Sequence, residues 1–209
     1  MNIIILGPQG SGKGTQAELI ADKFDLFYFE SGRFLRKLAK EDERINKIIN
    51  KEGRLMPDEE MFSFVKKELT QKDTDPDGMI LDGYPRSIKQ YELLTDWLKE
   101  RGGDIDYAIF LDISEKESIR RLSARRMDKS TGKIYNLITN PPPSSVEEKN
   151  LVQRPDDKPE AIKTRLEQYK EQTQPLIDLL RERGVLMEVD GERPIEEIFN
   201  DIAGRIRHG

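Results

Sequence analysis

Nine residues near the N-terminus carry the strongest chemical signal in the chain: Gly7-Pro8-Gln9-Gly10-Ser11-Gly12-Lys13-Gly14-Thr15. Glycines at this density let successive backbone N–H groups turn inward around phosphate oxygens. A helix opening directly after such a loop adds the positive end of its dipole. Lys13 supplies a point charge that reaches the outer phosphates. The general pattern asks for Ser or Thr directly after the lysine; here Gly14 intervenes and the hydroxyl comes at Thr15. The competing reading is a flexible glycine turn. The context favours phosphate, because the apolar run Ile3 to Leu6 precedes the loop and a helical pattern through Ala17, Leu19 and Ile20 follows it. A triphosphate with Mg²⁺ is the natural ligand of that arrangement.

A second set of charges has the types that phosphoryl chemistry needs. Met79-Ile80-Leu81-Asp82 reads as an apolar strand ending in an acid. Beside a phosphate loop such an Asp lies near Mg²⁺ and its waters; alone, it reads as a strand-end or helix-cap residue. The turn Gly83-Tyr84-Pro85-Arg86 aims Arg86 back over the sheet edge, and Arg36 sits one turn beyond Ser31-Gly32. Arginine grips phosphate with two parallel donors. Arg120, Arg121, Arg125 and Arg126 load one helix, and Arg154 and Arg165 follow later. On an isolated helix this is a solvated basic face. Here the arginines bracket a proline-rich stretch, and phosphoryl transfer needs positive charge around the equatorial oxygens and exclusion of water. Arg121, Arg125, Arg154 and Arg165 are therefore candidate catalytic residues, with Arg120 and Arg126 left to the surface.

The elements that must position these groups follow from hydropathy. Ile3 to Leu6, Phe27 to Phe29, Met79 to Leu81, Ala108 to Leu111 and Val185 to Val189 are short apolar runs of the kind that form strands buried on both faces. Helical patterns separate them: Ile88, Tyr91, Leu94, Trp97 and Leu98 share a face, as do Ile162, Leu166, Tyr169, Leu176, Ile177 and Leu180, with a kink expected at Pro175, and Ile195, Ile198, Ile202 and Ile206. Alternation of this kind predicts an α/β fold with a doubly wound parallel sheet of five strands and helices on both faces. It does not fix strand order. Arg33 to Leu69 reads as a polar helical insertion. Lys129 to Lys158, with Pro141, Pro142 and Pro143 in a row, reads as a lid, a binding loop or disorder. Both are placed above the carboxyl ends of the strands, where such sheets bind ligands.

Composition excludes much else. The 209 residues contain no cysteine and one histidine, His208. Disulfides, thiol catalysis and Cys-ligated zinc are ruled out, and a histidine-based triad has little to draw on. The net charge of -5 argues against broad nucleic-acid binding, and no apolar run reaches the length of a membrane span. The expected setting is cytoplasmic, without nucleic-acid or membrane partners.

On GPQGSGKGT at Gly7 to Thr15, SGRFLR at Ser31 to Arg36, LDGYPR at Leu81 to Arg86 with Gln90 after it, RRM at Arg125 to Met127 and RPDD at Arg154 to Asp157, the chain resembles the adenylate kinase family of nucleoside monophosphate kinases. GKGT is that family's form of the loop. The resemblance implies a core domain (1–29, 57–123 and 158–209), a monophosphate-binding domain (30–56) and a lid (124–157). It implies a monomer that transfers the γ-phosphoryl group of MgATP to AMP, giving two ADP. By this analogy Gly10, Ser11, Gly12, Lys13, Gly14 and Thr15 cradle ATP. Arg121 and Arg125 serve it from the lid hinge, Ile134 and Tyr135 cover it, and Arg193 lies beside its adenine. Arg36 and Arg86 hold the AMP phosphate. Ser31, Gly83 and Gln90 meet the base or sugar, with Tyr84 and Pro85 in the same turn and Arg54, Leu55 and Met56 closing over it. Arg154 and Arg165 contact phosphates at the transfer point. Mg²⁺ comes with the nucleotide, near Thr15 and Asp82 through water.

There are departures. Ser31 stands for a usual Thr, Arg33 for Asp, Tyr84 for Phe and Arg193 for a frequent Lys. The lid lacks the four-cysteine zinc site of some relatives and is shortened between Pro143 and Arg154, so no zinc is expected and packing and polar contacts around Tyr135 and Asp156-Asp157 are expected to hold it. A UMP/CMP or GMP kinase would share the phosphate machinery and differ at the acceptor base. A switch that binds ATP without turnover would not need so many arginines. A nucleic-acid motor fits poorly with the acidic balance.

Overall fold

The computed structural model describes residues 1–52, 54–71 and 78–208. β1 (Asn2–Leu6) is buried along its whole length, as an unbroken Ile/Leu run in a parallel sheet must be. The glycine loop leads from it into α1 (Lys13–Phe24), whose first residue is preceded by Gly12 in the left-handed conformation, at φ 96°. The chain returns in β2 (Phe27–Glu30), then forms α2 (Ser31–Leu38) and α3 (Glu43–Asn46). α4 (Asp58–Gln71) opens with Asp58, Glu59 and Glu60 at the positive end of its dipole. β3 (Met79–Asp82) is followed by α5 (Ile88–Lys99), capped by the Ser87 hydroxyl, and β4 (Tyr107–Asp112) by α6 (Glu115–Ala124), capped by Ser114. Three short strands come next: β5 (Arg125–Asp128), β6 (Ile134–Asn136) and β7 (Leu151–Val152). α7 (Pro159–Gln168), α8 (Gln174–Glu182), β8 (Leu186–Asp190) and α9 (Ile195–His208) complete the fold.

The main sheet has the order β2-β3-β1-β4-β8, and every neighbouring pair is parallel. Alternate residues of each strand feed opposite layers. Ile3, Ile5, Ile80, Ile109, Leu111 and Val189 pack with Ala17 and Ile20 of α1 and Ile198, Ile202 and Ile206 of α9. On the other face, Ile4, Leu6, Leu81 and Phe110 pack with α4, α5 and α8 through Val65, Leu94, Trp97 and Ile177, among others. This is the five-stranded, doubly wound α/β sheet that the alternation predicts.

Five expectations need correction. Arg125 and Arg126 do not share a helix with Arg120 and Arg121: α6 ends at Ala124 and the two stand on β5. The first insertion does not reach Leu69: Met61, Val65 and Leu69 of α4 are buried in the main core. The 129–158 stretch is not loop or disorder throughout. β5, β6 and β7 form an antiparallel sheet in the order β6-β5-β7, and Asp128 pins the turn by accepting from Ser130 N, Ser130 Oγ and Thr131 Oγ1. Strands of two and three residues are too short to leave a periodicity. The break between α7 and α8 is a π-helical turn at Tyr169–Thr173, and Pro175 sits in the first turn of α8, where its missing N–H costs nothing. Val185 lies outside β8 and is exposed.

Candidate active site

The segments that follow β1, β2, β3 and β8 meet with α6, α7 and the small sheet around one cavity of about 640 Å³. The phosphate loop forms one wall. Gly7 at φ 146° and Gly10 at φ 83° adopt backbone conformations that L side chains rarely reach. A Cβ on Gly7 would come within 2.5 Å of Leu111 O, so no other residue fits there. At Gly14 a Cβ would lie 3.4 Å from Asp82 Oδ2 and 3.5 Å from the Tyr28 hydroxyl, ordinary contact distances, so the start of α1 lies beside the acid at the end of β3 without the space itself demanding glycine.

Lys13 Nζ donates to Gly7 O and Pro8 O, both at 2.8 Å. Burial lowers its pKa to about 8, against the pull of Asp82. Burial acts on Asp82 in the opposite sense and raises it to about 6, with Lys13 opposing. The Tyr28 hydroxyl donates to Asp82 Oδ2 at 3.3 Å.

The arginines of the opposite wall are organised by carboxylates. Asp157, whose side chain is fully buried, takes Arg125 bidentately at 2.7 and 2.5 Å and lies 3.6 Å from Arg165 Nη1. Asp156 binds Arg165 at 3.0 Å and Arg154 at 3.2 Å. Burial and the crowding of like charges lower both Arg154 and Arg165 to about 10. Burial alone would raise Asp156, but Arg165 and Arg154 outweigh it and hold it low. Glu117 binds Arg120 and Arg121, each at 2.6 Å, and its own pKa falls to about 2. At the far end Arg86 Nε donates to Gly83 O at 2.6 Å, and Ser31 Oγ donates to the same oxygen at 2.7 Å. Arg193 binds Asp201 at 2.6 Å.

Among the described residues, five buried side-chain polar atoms have no hydrogen-bond partner. Four of them, Gln9 Oε1, Ser11 Oγ, Gln16 Oε1 and the Tyr169 hydroxyl, belong to residues lining this cavity.

The family model described as adenylate kinase matches residues 5–185. Curated adenylate kinases are similar over nearly the whole chain. That of Methanothrix thermoacetophila is 42% identical over 210 residues, covering 97% of each chain. Those of Oceanobacillus iheyensis and Archaeoglobus fulgidus are each 38% identical, covering 97% of this chain and 97% and 96% of their own. The chain belongs to the adenylate kinase family. It is a phosphotransferase, and the likeness spans sheet and insertions alike.

Within this adenylate kinase, the cavity gathers most residues that the resemblance points to. Gly10, Ser11, Gly12, Lys13, Gly14, Thr15, Arg121, Arg125, Ile134, Tyr135 and Arg193 line it, as do Ser31, Arg36, Asp82, Gly83, Pro85, Arg86, Arg154 and Arg165. Others are not in its lining. Tyr84 is wholly buried beneath the turn. Gln90, also buried, spends its amide on Asp58 Oδ1 and the Arg86 N–H, at 2.9 and 2.8 Å. Arg54, Leu55 and Met56 line a separate, shallower cavity with Asp58, Ser87 and Lys89. Arg120 does face the main cavity, whereas Arg126 turns to Ser123 O and Arg125 O outside it. The sequence singles out neither Glu30 nor Glu117; Asp156 and Asp157 of RPDD are expected only as polar contacts that hold the lid, and they pair with Arg125, Arg154 and Arg165. Among the described residues no helix is long and apolar enough to cross a membrane, and no group of three His, Asp or Glu side chains is placed to hold a metal.

Proposed function

We propose that this adenylate kinase transfers the γ-phosphoryl group of MgATP reversibly to AMP, giving two ADP, by positioning and charge alone. The observation that carries the reading is a single cavity in which the phosphate loop faces Arg36, Arg86, Arg121, Arg125, Arg154 and Arg165. In this reading Gly10 to Thr15, with Arg121, Arg125, Ile134, Tyr135 and Arg193, hold the donor nucleotide. Ser31, Arg36, Gly83, Pro85 and Arg86 hold the acceptor; Tyr84 and Gln90 support that turn from within the core, and Arg54 to Met56, which line a separate cavity, would reach the base only on closure of residues 30–56. An oxygen of the AMP phosphate attacks the γ-phosphorus, and the bond to the β,γ-bridging oxygen breaks. The attacking oxygen is already anionic, so no general base is needed. Lys13 leaves the carbonyls of Gly7 and Pro8 to follow the transferred group, while Arg154 and Arg165 offset charge on its equatorial oxygens.

The buried Asp82 carboxylate and the Thr15 hydroxyl are hard oxygen donors, and both line the cavity. They suit Mg²⁺ held through water. The ion brings neutralisation of charge on the β- and γ-phosphates. Residues 30–56 and 124–157 act as mobile covers over the core formed by 1–29, 57–123 and 158–209. Their closure keeps water from the γ-phosphate. A monomer in the cytoplasm belongs to the same reading, on family resemblance.

Product analysis tests this. MgATP with AMP should give ADP rapidly and reversibly, with little ADP formed in the absence of an acceptor. Turnover with UMP or CMP in preference to AMP would reassign the acceptor base site. ATP binding without turnover on any acceptor would sink the proposal.

A further inference from the structure

Arg36 does not stand free in the cavity. Its Nη2 lies 2.9 Å from Glu30 Oε1. The other carboxylate oxygen of Glu30 lies 3.1 Å from Arg33 Nε, and Arg33 reaches Glu18 at 3.6 Å. Glu30 is the last residue of β2, at the carboxyl end where ligands of this sheet type enter. Gly32 leaves room for the contact: a Cβ there would come within 2.9 Å of Arg36 Nη1. Glu18, Glu30, Arg33 and Arg36 all line the main cavity, with Asp82 and Arg86 beside them. The Glu30 side chain is mostly covered, at 22% exposed, while that of Arg33 is 67% exposed.

We infer that Glu30 is an internal occupant of the acceptor-phosphate position: its carboxylate holds Arg36 until the phosphate of AMP displaces it onto Arg33, so that Glu30 and Arg33 together set the affinity for AMP. The inference rests on the reading of Arg36 as a ligand of the acceptor phosphate. The exchange follows from charge. A phosphate monoester carries close to two negative charges near neutral pH and more acceptor oxygens than a carboxylate. It therefore outcompetes Glu30 for a guanidinium, and once bound it repels the carboxylate beside it. Arg33 gives the displaced carboxylate somewhere to go, because one of its nitrogens already touches Glu30 and its other contact, Glu18, is longer. Without Arg33 the displaced charge would remain against the dianion.

The test is AMP binding and turnover in four proteins: wild type, Glu30→Gln, Arg33→Ala and the double variant. With MgATP saturating, Glu30→Gln should lower KM for AMP roughly two- to fivefold, the size of a partly exposed ion pair, with a smaller change in KM for MgATP. Arg33→Ala should raise KM for AMP by a similar factor. The double variant should match Glu30→Gln alone, because Arg33 acts only through Glu30. Calorimetric titration should show the same order for AMP and no change for adenosine, which lacks the phosphate. Glu30→Asp, shorter by one methylene, should move KM in the direction of Glu30→Gln and covers the case in which the latter folds poorly. A KM for AMP unchanged or raised in Glu30→Gln, or a double variant that keeps the Arg33→Ala rise, overturns the inference. Arg36→Ala is the reference. If it leaves KM for AMP unchanged, the underlying reading of Arg36 fails, and that failure is visible separately.

Discussion

Lys13 and Asp82 face the same cavity, and burial pushes each toward its neutral form. With a pKa of about 8, Lys13 is charged below that pH and neutral above it. The ammonium is the form that phosphate oxygens attract, so kcat/KM for MgATP, which reports the free enzyme, should fall as pH rises through about 8. Lys13→Arg should remove that alkaline limb, since a guanidinium does not titrate there. An unchanged limb would assign it to another group. Lys13→Met deletes the charge outright and should cost several orders of magnitude in kcat; a loss under about tenfold, some 1.4 kcal/mol of barrier, would count against Lys13 at the transferred group. At this scale the sequence was most informative where a backbone conformation or a fixed charge defines the role. Gly7, Gly12 and Lys13 are legible because few other residues could stand there. Glu30 and Glu117 are not, because an acid looks the same on paper whether it is solvated or clasps an arginine.

The element that decides the geometry of the arginines is the 3₁₀ turn at Pro155–Asp157, between β7 and α7. Its two acids collect Arg125 from β5, Arg154 from the approach and Arg165 from α7. Removing one partner of a buried ion pair costs about 3–5 kcal/mol, because the other charge is left uncompensated. Asp157→Asn should therefore loosen the small sheet before the main one. Limited proteolysis should cut faster within residues 129–150, and MgATP should restore protection by supplying negative charge to Arg125 and Arg165. Equal cleavage of variant and wild type would mean that packing around Tyr135, and not this turn, secures the segment. The helices and long strands were readable from periodicity. The small antiparallel sheet was not, since β7 has two residues and β6 three. What holds them is cross-strand pairing and the Asp128 turn, neither of which leaves a hydrophobic rhythm.

For the whole molecule, the alternation of apolar runs and helices foretold a doubly wound sheet, but not the order β2-β3-β1-β4-β8, which depends on contacts far apart in sequence. It also missed that α4 belongs to the core, because Met61, Val65 and Leu69 sit among charged residues that dilute the average. β1 is the central strand, and its side chains enter both apolar layers, Ile3 and Ile5 on one side and Ile4 and Leu6 on the other. Neither layer can melt without exposing half of this strand, so its amides should be among the last to exchange with deuterium, opening only in the global unfolding reaction. Fast exchange at Ile4 and Ile5 would show that the two layers come apart independently. Slow exchange would mean that the glycine loop is tethered to the most persistent segment of the chain.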